Sequence, residues 1–306
     1  MDIFRFDCDG EQSELRLDQW VAAKVPSVSR TLARKIIDLG GVHVNGQRTR
    51  KCGFIPKGAA KVEVYLDGLD LEPWELSSDR IIFQDKYLIV LDKPAGVDTQ
   101  PTHARYRGTL YDALLRHLQR PHRPDLKPEL GMVQRLDRGT SGLIAFSTHG
   151  RSHKPLTEAF TGRKVKKTYL ALVQGRLPDS CGEIRSSLVR SRNGNRMMSV
   201  AHGGREAVSL FRVLLEGRDL SLVSVEIPTG RTHQIRVHMA EQGCPLLGDS
   251  YYGGPLQLEG VDIPRPMLHS QRLELEHPVT GEALRFEAAS PPDMQELLGR
   301  FFESGT

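Results

Sequence analysis

The sequence has few cysteines and no long hydrophobic run. Its 306 residues include only four cysteines, all widely separated: Cys8, Cys52, Cys181 and Cys244. This spacing excludes a disulfide framework and a cysteine-rich zinc site, and it fits a reducing compartment. No apolar run approaches the roughly 18 residues of a membrane helix. The start, MDIFRFDCDGEQ, carries acids instead of the basic region of a secretion signal. We therefore expect a cytoplasmic protein without membrane contact.

The composition is that of a globular chain of about two domains, with 39% hydrophobic and 26% charged residues. The formal net charge is only +4, but the basic residues are unevenly distributed. Residues 24–61 contain nine Lys or Arg and a single acid, Asp38. A local basic face of this kind indicates nucleic-acid binding better than the overall charge does. The alternative is an ordinary solvated face.

One stretch, residues 131–150, places a group of charges between two apolar segments. It reads GMVQRLDRGTSGLIAFSTHG and predicts short buried strands at 132–133 and 143–146. The connection holds Asp137 between Arg135 and Arg138, followed by Gly-Thr-Ser-Gly, which lets the backbone turn sharply. Neighbouring positive charge favours the carboxylate form, and an ionised Asp can act as nucleophile or base. The alternative is a simple turn between strands.

This loop resembles the catalytic loop of RluA-type pseudouridine synthases, which usually reads His-Arg-Leu-Asp and then Thr-Ser/Thr-Gly. Residues 93–96, Lys-Pro-Ala-Gly, are similar to the family's Lys-Pro-x-Gly. The chain departs from the pattern at Gln134 and Gln100, where relatives often have His. The resemblance implies that Asp137 is the catalytic residue. We assign Arg135 and Thr140 of the same loop to RNA contact.

A second family motif, Gly-Arg-Thr-His-Gln-Ile-Arg-Val-His, matches residues 230–238 without a change. The pattern predicts a strand from 223, a turn at 228–230 and a helix that begins near Thr232 and ends at Gly243. Arg236 lies in the first turns of that helix, and the resemblance makes it the partner of Asp137. Metal binding is not expected, because the two histidines are five residues apart and do not share a helix face. The RNA contacts assigned to the motif are Arg231, Thr232, His233 and Gln234.

A run of cations leads into an apolar strand predicted at 168–173. Lys164, Lys166 and Lys167 precede Tyr169, which indicates phosphate contacts beside an aromatic platform. The segment resembles the family's basic run into Tyr-Leu-Ala-Leu-Val. For the tyrosine the alternative is a core position. Farther on, residues 176–206 predict a basic hairpin around Asn193-Gly194, or a plain solvent-exposed excursion.

The N-terminal part, residues 12–66, resembles an S4-type RNA-binding domain. The matching residues are Arg-Leu-Asp at 16–18, Ser-Arg at 29–30, Gly41 and Val-His-Val-Asn-Gly at 42–46. The pattern predicts a helix over 30–39 with Ser29 as N-cap and a hairpin turn at Asn45-Gly46. The expected RNA contacts of this part are Arg30, Arg34, Lys35 and Arg48.

The sequence thus predicts an α+β protein with a small S4-like module at 12–66, an acidic linker at 67–79 and a catalytic domain at 80–306. The pattern predicts an antiparallel hairpin at 268–288 and a helix over 109–118. The resemblance implies that the larger domain is built on a mixed, mainly antiparallel sheet with flanking helices. A monomer is the expected state.

The resemblance implies isomerisation of uridine to pseudouridine in structured RNA, without a cofactor. Ribosomal RNA of the large subunit is the first expected substrate and tRNA the second. Asp137 acts as nucleophile or base, and the residues do not separate those routes. Arg236 keeps the carboxylate ionised and oriented. Tyr169 stacks on the flipped base or takes the C5 proton late in the reaction, while Arg135 fills the space that the base leaves.

Other classes of protein fit the sequence less well. An S4-type RNA-binding protein without activity stays open because of Gln134. A methyltransferase or a tRNA synthetase is disfavoured, because the chain has neither a Gly-x-Gly cofactor loop nor a phosphate-binding Gly-x-x-x-x-Gly-Lys. A glycosidase would need a pair of cooperating carboxylates, whereas Asp137 has arginines as neighbours.

Overall fold

The computed structural model describes residues 1–8, 14–56, 58–120, 122–123, 125–191 and 196–302. The chain divides into two compact units. The first comprises residues 1–76 and 97–128, and the second comprises residues 77–96 and 129–306. We call them the N-terminal unit and the C-terminal unit. No helix in the described ranges is long and apolar enough to cross a membrane.

The N-terminal unit packs helices against a four-stranded sheet with the strand order β1-β4-β2-β3. Its strands are β1 Asp2–Cys8, β2 Val42–Val44, β3 Gln47–Arg48 and β4 Ala60–Leu66, and its helices are α1 Leu17–Lys24, α2 Arg30–Leu39 and α3 Leu110–His117. The core is apolar and includes Leu17, Val21, Ile37 and Val62. Strand β1 was not predicted from the sequence; it pairs with β4 along its whole length.

Local signals fix α2 and the hairpin that follows it. The Ser29 hydroxyl accepts a hydrogen bond from the Leu32 amide at 3.2 Å, and Gly40 ends the helix in the left-handed conformation at φ 93°. Asn45 and Gly46, at φ 50° and 76°, turn the chain from β2 into β3. The predicted helix over 30–39 and the predicted hairpin are confirmed.

Residues 67–76 and 97–128 are held in the N-terminal unit by charged contacts. Arg105 donates two hydrogen bonds to the Asp67 carboxylate, at 2.6 and 2.8 Å, and both side chains are about nine-tenths buried. Arg116 pairs with Glu75 at 3.1 Å, and the Tyr106 amide donates to the Leu39 carbonyl at 2.6 Å. Most of the acidic segment predicted as a linker is therefore ion-paired within this unit. The functional boundaries at 12–66 and 80–306 stay predictions.

The C-terminal unit is built on an eleven-stranded sheet with the order β11-β10-β12-β13-β9-β16-β8-β6-β5, to which β17 and β7 add at β16 and β8. The strands and helices of this unit are β5 Ile81–Gln84, β6 Leu88–Lys93, β7 Gly131–Met132, β8 Ser141–Ser147, α4 Gly150–Thr161, β9 Lys166–Gln174, β10 Cys181–Arg190, β11 Met197–Ser199, β12 Arg205–Glu216, β13 Leu220–Glu226, α5 Gln234–Glu241, β14 Gln257–Leu258, β15 Val261–Asp262, β16 Leu268–Glu276, β17 Ala283–Glu287 and α6 Pro292–Phe302. Strands β14 and β15 form a separate two-stranded ribbon.

The pairing in the large sheet is antiparallel at every described junction except that between β16 and β8. The prediction of an α+β fold with a mixed, mainly antiparallel sheet is confirmed. Apolar residues of β6, β8 and α4, including Leu88, Leu143 and Leu156, form one core. Residues of β9, β13 and α6, including Leu172 and Leu297, form another. The predicted turn at Asn193-Gly194 lies outside the described residues.

Candidate active site

The loop that carries Asp137 joins β7 to β8 and is anchored by its own backbone. The Thr140 amide donates to the Asp137 carbonyl at 3.0 Å and closes the turn. The Arg138 carbonyl accepts from the Gly96 amide at 2.8 Å and from the Lys93 ammonium at 3.3 Å. Lys93 is fully buried at the end of β6. The Lys-Pro-Ala-Gly turn therefore supports the loop from behind.

A glycine sets the approach of β8 to β16 immediately after this loop. Gly142 has a positive φ of 105°, and a Cβ atom there would lie 2.3 Å from the Ser270 carbonyl oxygen. No side chain fits in that space, because heavy atoms do not approach so closely without displacing the backbone. The residue thus permits the parallel contact between β8 and β16, which fixes the end of the loop at the start of β8.

His233 occupies a strained backbone position at the start of α5. Its φ of 54° and ψ of 18° lie in the left-handed region, which costs a residue with a side chain about 1 to 3 kcal/mol. The helix begins one residue later, at Gln234, so the predicted start near Thr232 was too early. The His233 ring forms a 2.8 Å hydrogen bond through Nδ1 with the Tyr252 hydroxyl. Its Nε2 lies 3.7 Å from Asp137 Oδ2.

Arg236 connects two carboxylates. Its Nη1 donates to Asp137 Oδ2 at 3.1 Å, while Nε and Nη2 donate to the two oxygens of Asp249 at 2.7 and 2.8 Å. Asp249 is almost fully buried, whereas the Asp137 side chain is 32% exposed. Burial alone would lower the pKa of Arg236, but the hydrogen bonds and charge of Asp249, and then those of Asp137, outweigh it and raise that pKa. The guanidinium stays charged, and one carboxylate faces solvent.

Tyr169 lies on β9 with its side chain buried. Burial raises the pKa of its phenol to about 12; the charge of Asp137 acts in the same direction, and a hydrogen bond with Ser270 opposes it. The phenol is therefore neutral over the physiological range and close enough to Asp137 to sense its charge. Tyr169 is buried like a core residue, as the alternative expected, but the charge of Asp137 acts on its phenol.

Sequence reasoning missed Asp249 and Tyr252. Asp249 fixes Arg236 from the side opposite Asp137, and its sequence signal, one Asp beside Gly248, is that of any turn. The hydroxyl of Tyr252 accepts from the Met197 amide at 2.9 Å. The Tyr252 ring centroid lies 5.1 Å from the Arg236 guanidinium carbon. Together they hold α5, β11 and the 249–254 turn around Arg236.

The other residues assigned to this site differ in exposure. Arg135 and Thr232 are exposed, whereas Thr140 is buried. Arg231 donates from Nε to the Glu206 carbonyl at 2.9 Å. Gln234 is buried, and its amide bonds to Thr229, the Arg231 amide, the Val208 carbonyl and Ser209. The hydrogen-bonding capacity of Gln234 is thus used within the protein.

The three lysines at the start of β9 differ in burial. Lys164 and Lys166 are exposed, whereas Lys167 is buried, with only 7% of its surface accessible. Burial lowers the pKa of Lys167 to about 8. Its Nζ lies over the Phe160 ring, 5.8 Å from the ring centroid. Lys167 points to the same face of β9 as Tyr169, because side chains two residues apart in a strand share a face.

In the N-terminal unit the basic face has a buried acid beneath it. The fully buried Asp18 carboxylate accepts from Arg16, Arg30 and Arg34 at 3.2, 3.1 and 2.8 Å. Burial by itself would raise the pKa of Asp18, but the hydrogen bonds of Arg34 and Arg30 prevail and lower it. The arginines are about half exposed, so they serve the fold and remain on the surface.

The two remaining basic residues assigned to RNA contact also have partners in this unit. Lys35 forms an ion pair with Glu72. Arg48 donates to the Thr102 carbonyl, and its guanidinium carbon lies 5.9 Å from the Tyr106 ring centroid.

The site thus consists of an acidic loop residue held by a buried arginine, on a mixed sheet and in a chain with a basic N-terminal face, an arrangement that fits an enzyme acting on RNA. The family model described as RNA pseudouridylate synthase matches residues 87–241, and the S4 domain model matches residues 15–61. The chain belongs to the RNA pseudouridylate synthase family, whose members are isomerases. Both resemblances stated from the sequence are confirmed.

Individual relatives agree with this assignment. The chain is 33% identical over 300 residues to an uncharacterized RNA pseudouridine synthase of Bacillus subtilis, covering 96% of this chain and 97% of that protein. It is 34% identical over 304 residues to the ribosomal large subunit pseudouridine synthase D of Pseudomonas aeruginosa, covering 92% and 91%. Among solved structures, human RNA Pseudouridylate Synthase Domain Containing 4 aligns with a TM-score of 0.61 at 25% identity, covering 73% of this chain and 93% of that one.

Proposed function

We propose that this enzyme isomerises specific uridines of large-subunit ribosomal RNA to pseudouridine, with Asp137 acting on a flipped-out nucleotide. The observation that carries the proposal is the pair of Asp137 and Arg236, in which a partly exposed carboxylate is held by a buried guanidinium. The choice of RNA is supported by relatives named ribosomal large subunit pseudouridine synthase D.

The reaction breaks the bond between N1 of uracil and C1′ of ribose and forms a bond between C5 and C1′. The proton on C5 is released, N1 gains one, and no redox change occurs, so the side chains of this chain suffice. Asp137 acts as nucleophile, or as a base that removes a sugar proton. Arg236 orients its carboxylate, and Asp249 prevents Arg236 from turning away. The fixed donor costs no reorganisation when the charge changes.

Tyr169 supplies a neutral phenol beside the carboxylate. A phenol whose pKa is about 12 is a weak acid, so it contributes an aromatic face for the uracil and a hydrogen-bonding hydroxyl. Removal of the C5 proton by Tyr169 would require its deprotonation, or a transient exchange of protons with a neighbouring base. Stacking is therefore its first role and proton transfer its second.

The RNA has to yield its uridine to this site. Extrusion of a nucleotide costs a few kcal/mol, and Arg135, exposed beside Asp137, is placed to fill the space that the base leaves. The other residues of the C-terminal unit that we assign to RNA contact, directly or by supporting a neighbour, are Thr140, Arg231, Thr232, His233, Gln234, Lys164, Lys166 and Lys167. The S4 module at 12–66 adds affinity for structured RNA through Arg30, Arg34, Lys35 and Arg48.

Tritium release tests the proposal. RNA labelled at C5 of uridine loses its label when C5 bonds to the ribose, so purified enzyme is offered large-subunit ribosomal RNA and tRNA separately. Release from the ribosomal RNA alone is the expected result. Release from tRNA alone would contradict the proposed substrate, and release from neither would favour an S4-type RNA-binding protein without activity.

Salt dependence tests the basic face of the N-terminal unit. Because Asp18 would lose its partners if the arginines were simply removed, the comparison starts from Asp18→Asn, which neutralises the buried acid. Adding Arg30→Gln, Arg34→Gln and Lys35→Gln to that variant should flatten the slope of log affinity against log salt by roughly 2 to 3, since each phosphate contact contributes about 0.7 to 0.9. Filter binding to labelled ribosomal RNA between 50 and 200 mM salt measures the slope; over that range a protein with about 6 to 10 phosphate contacts loses about 10³ to 10⁵ in affinity.

The matched control is Arg285→Gln, which removes an exposed cation on β17. Circular dichroism must show both the starting and the combined variant folded. An equal slope in the starting and combined variants would remove α2 from the RNA interface.

Replacing Lys167 should stabilise the protein and weaken its binding to RNA. Lys167→Met should raise the free energy of unfolding by about 1 to 3 kcal/mol at pH 7, because a desolvated cation is replaced by an apolar chain. RNA affinity should fall about 10- to 100-fold if the ammonium binds a phosphate. The folded pKa of about 8 lies below the ordinary 10.5, so the wild type loses stability as pH falls from 10.5 through 8. The advantage of Met should therefore shrink toward pH 10.5.

Urea denaturation at pH 7 and pH 10 and filter binding measure both effects. Lys154→Met is the control, because Lys154 is an exposed lysine of α4 to which no RNA contact is assigned. A less stable Lys167→Met protein, or unchanged RNA affinity in a more stable one, would contradict the assignment.

A further inference from the structure

An aromatic ring stands exposed at the edge of the active site without any role assigned so far. The side chain of Tyr251 is 46% exposed. Its ring centroid lies 5.6 Å from the guanidinium carbon of Arg196 and 5.8 Å from that of Arg236. Arg236 is buried and bonded to Asp137 and Asp249, whereas Arg196 is exposed and its charge faces solvent.

This ring is next to the reacting carboxylate. The Tyr251 and His233 rings meet edge to face, with centroids 6.3 Å apart and planes at 75°. His233 Nε2 in turn lies 3.7 Å from Asp137 Oδ2. Tyr251 is thus separated from Asp137 by one imidazole ring.

The turn that presents Tyr251 is rigid. The Tyr252 and Gly254 amides both donate to the Asp249 carbonyl, at 3.1 and 2.9 Å. At Gly254 a Cβ atom would lie 1.8 Å from the Leu246 carbonyl oxygen, so only glycine fits there. Because the backbone is fixed and the Tyr side chain has two rotatable bonds, binding on its ring costs little conformational entropy.

The chemistry of the surface selects a nucleotide. The guanidiniums of Arg196 and Arg236 both lie over the Tyr251 ring, which is still 46% exposed, so the ring and the planar guanidinium of Arg196 together offer a surface on which a base can stack. Arg196 also offers paired donors for a phosphate. An acidic peptide would use the arginine but would leave the ring without a planar partner. A base and a phosphate linked by a ribose satisfy both groups.

We infer that Tyr251 and Arg196 bind the nucleotide adjacent to the flipped uridine, with its base stacked on the Tyr251 ring and its phosphate paired with the Arg196 guanidinium. The inference rests on the proposed function, since it requires an RNA whose target nucleotide reacts at Asp137. The two residues then hold the strand after the uridine has left the stack, which makes them positioning residues.

A purely structural role has a different signature. Tyr251 lies beside Arg236, and in the alternative its sole role is to keep that guanidinium on Asp137. In that case its loss would lower kcat and leave KM unchanged. A binding role raises KM and leaves kcat nearly constant, because Arg236 keeps its three hydrogen bonds to Asp137 and Asp249.

The experiment compares Tyr251→Leu, Tyr251→Phe and Arg196→Gln with the wild type, using large-subunit ribosomal RNA transcribed with uridine tritiated at C5. Tyr251→Leu should raise KM about 5- to 150-fold, which is the 1 to 3 kcal/mol of a stacked base at 1.4 kcal/mol per factor of ten. Its kcat should stay within about twofold. Tyr251→Phe keeps the ring and should restore the wild-type KM within about threefold. Arg196→Gln should raise KM and flatten the salt slope of binding by roughly 1.

Leu256→Ala is the control, because Leu256 is exposed on the segment that follows the same turn. Wild-type KM in both Tyr251→Leu and Arg196→Gln, with tritium release intact, would overturn the inference alone. A fall in kcat without a change in KM would overturn it in favour of the structural role, and equal losses in the Leu and Phe variants would overturn the stacking assignment. No release by the wild type would overturn the proposed function itself.

Discussion

The substitution Asp137→Asn is expected to lower tritium release by at least about 10³-fold, because the amide can neither attack the nucleotide nor accept a proton at neutral pH. The free energy of unfolding should change by about 1 kcal/mol or less. Asp137 is one-third exposed, and Arg236 retains its two hydrogen bonds to Asp249 when the partner charge is lost. Single-turnover release assays and urea denaturation measure the two quantities.

Asp262→Asn, on the β14–β15 ribbon, is the control for the loss of one carboxylate from the same unit. The RNA affinity of the Asp137→Asn protein should remain near that of the wild type, so that the loss of tritium release reflects the chemical step and not weaker binding. Turnover within tenfold of the wild type would exclude Asp137 as nucleophile or base.

The substitution Arg236→Met should damage both activity and stability. It leaves Asp249 as an unpaired charge in a buried position, which costs about 3 to 5 kcal/mol of unfolding free energy. It also removes the donor that orients Asp137, so tritium release should fall at least about 10²-fold. Urea denaturation and single-turnover release in the same preparation test both losses.

A double variant separates those effects. Arg236→Met combined with Asp249→Leu removes the pair as a whole, so most of the lost stability should return. Activity should not return, because Asp137 still lacks its cationic partner. A double variant with near wild-type release would show that Arg236 serves the fold and has no part in the chemistry.

The sequence predicts those parts of the fold whose signals are local. Helix α2 has its N-cap at Ser29 and its end at Gly40 within twelve residues, and the hairpin at Asn45-Gly46 needs only two residues with positive φ. A short apolar run made β9 predictable, and alternating apolar residues made β16 and β17 predictable, for the same reason. Strand β1 was missed because its inward face consists of only three residues, Phe4, Phe6 and Cys8, which is too short a pattern to identify a strand.

The site was predicted only in part. The contact between Asp137 and Arg236 joins residues 99 positions apart, and it followed from the resemblance to a family, since no local rule gives it. Asp249 and the left-handed His233 depend on how α5 meets the 249–254 turn, which is a tertiary fact. The split of Lys166 from Lys167 by burial followed from strand alternation once β9 was placed.

Because residues 97–128 belong to the N-terminal unit, this unit is formed by two separate segments of the chain and is not a simple appended domain. The chain passes between the two units three times, and the buried Arg105 and Asp67 that hold this unit come from separate passes. A recombination event at residue 76, where the first segment of this unit ends, would therefore leave Asp67 on one side of the junction and Arg105 on the other. An exchange that keeps the N-terminal unit whole would have to include residues 97–128 as well.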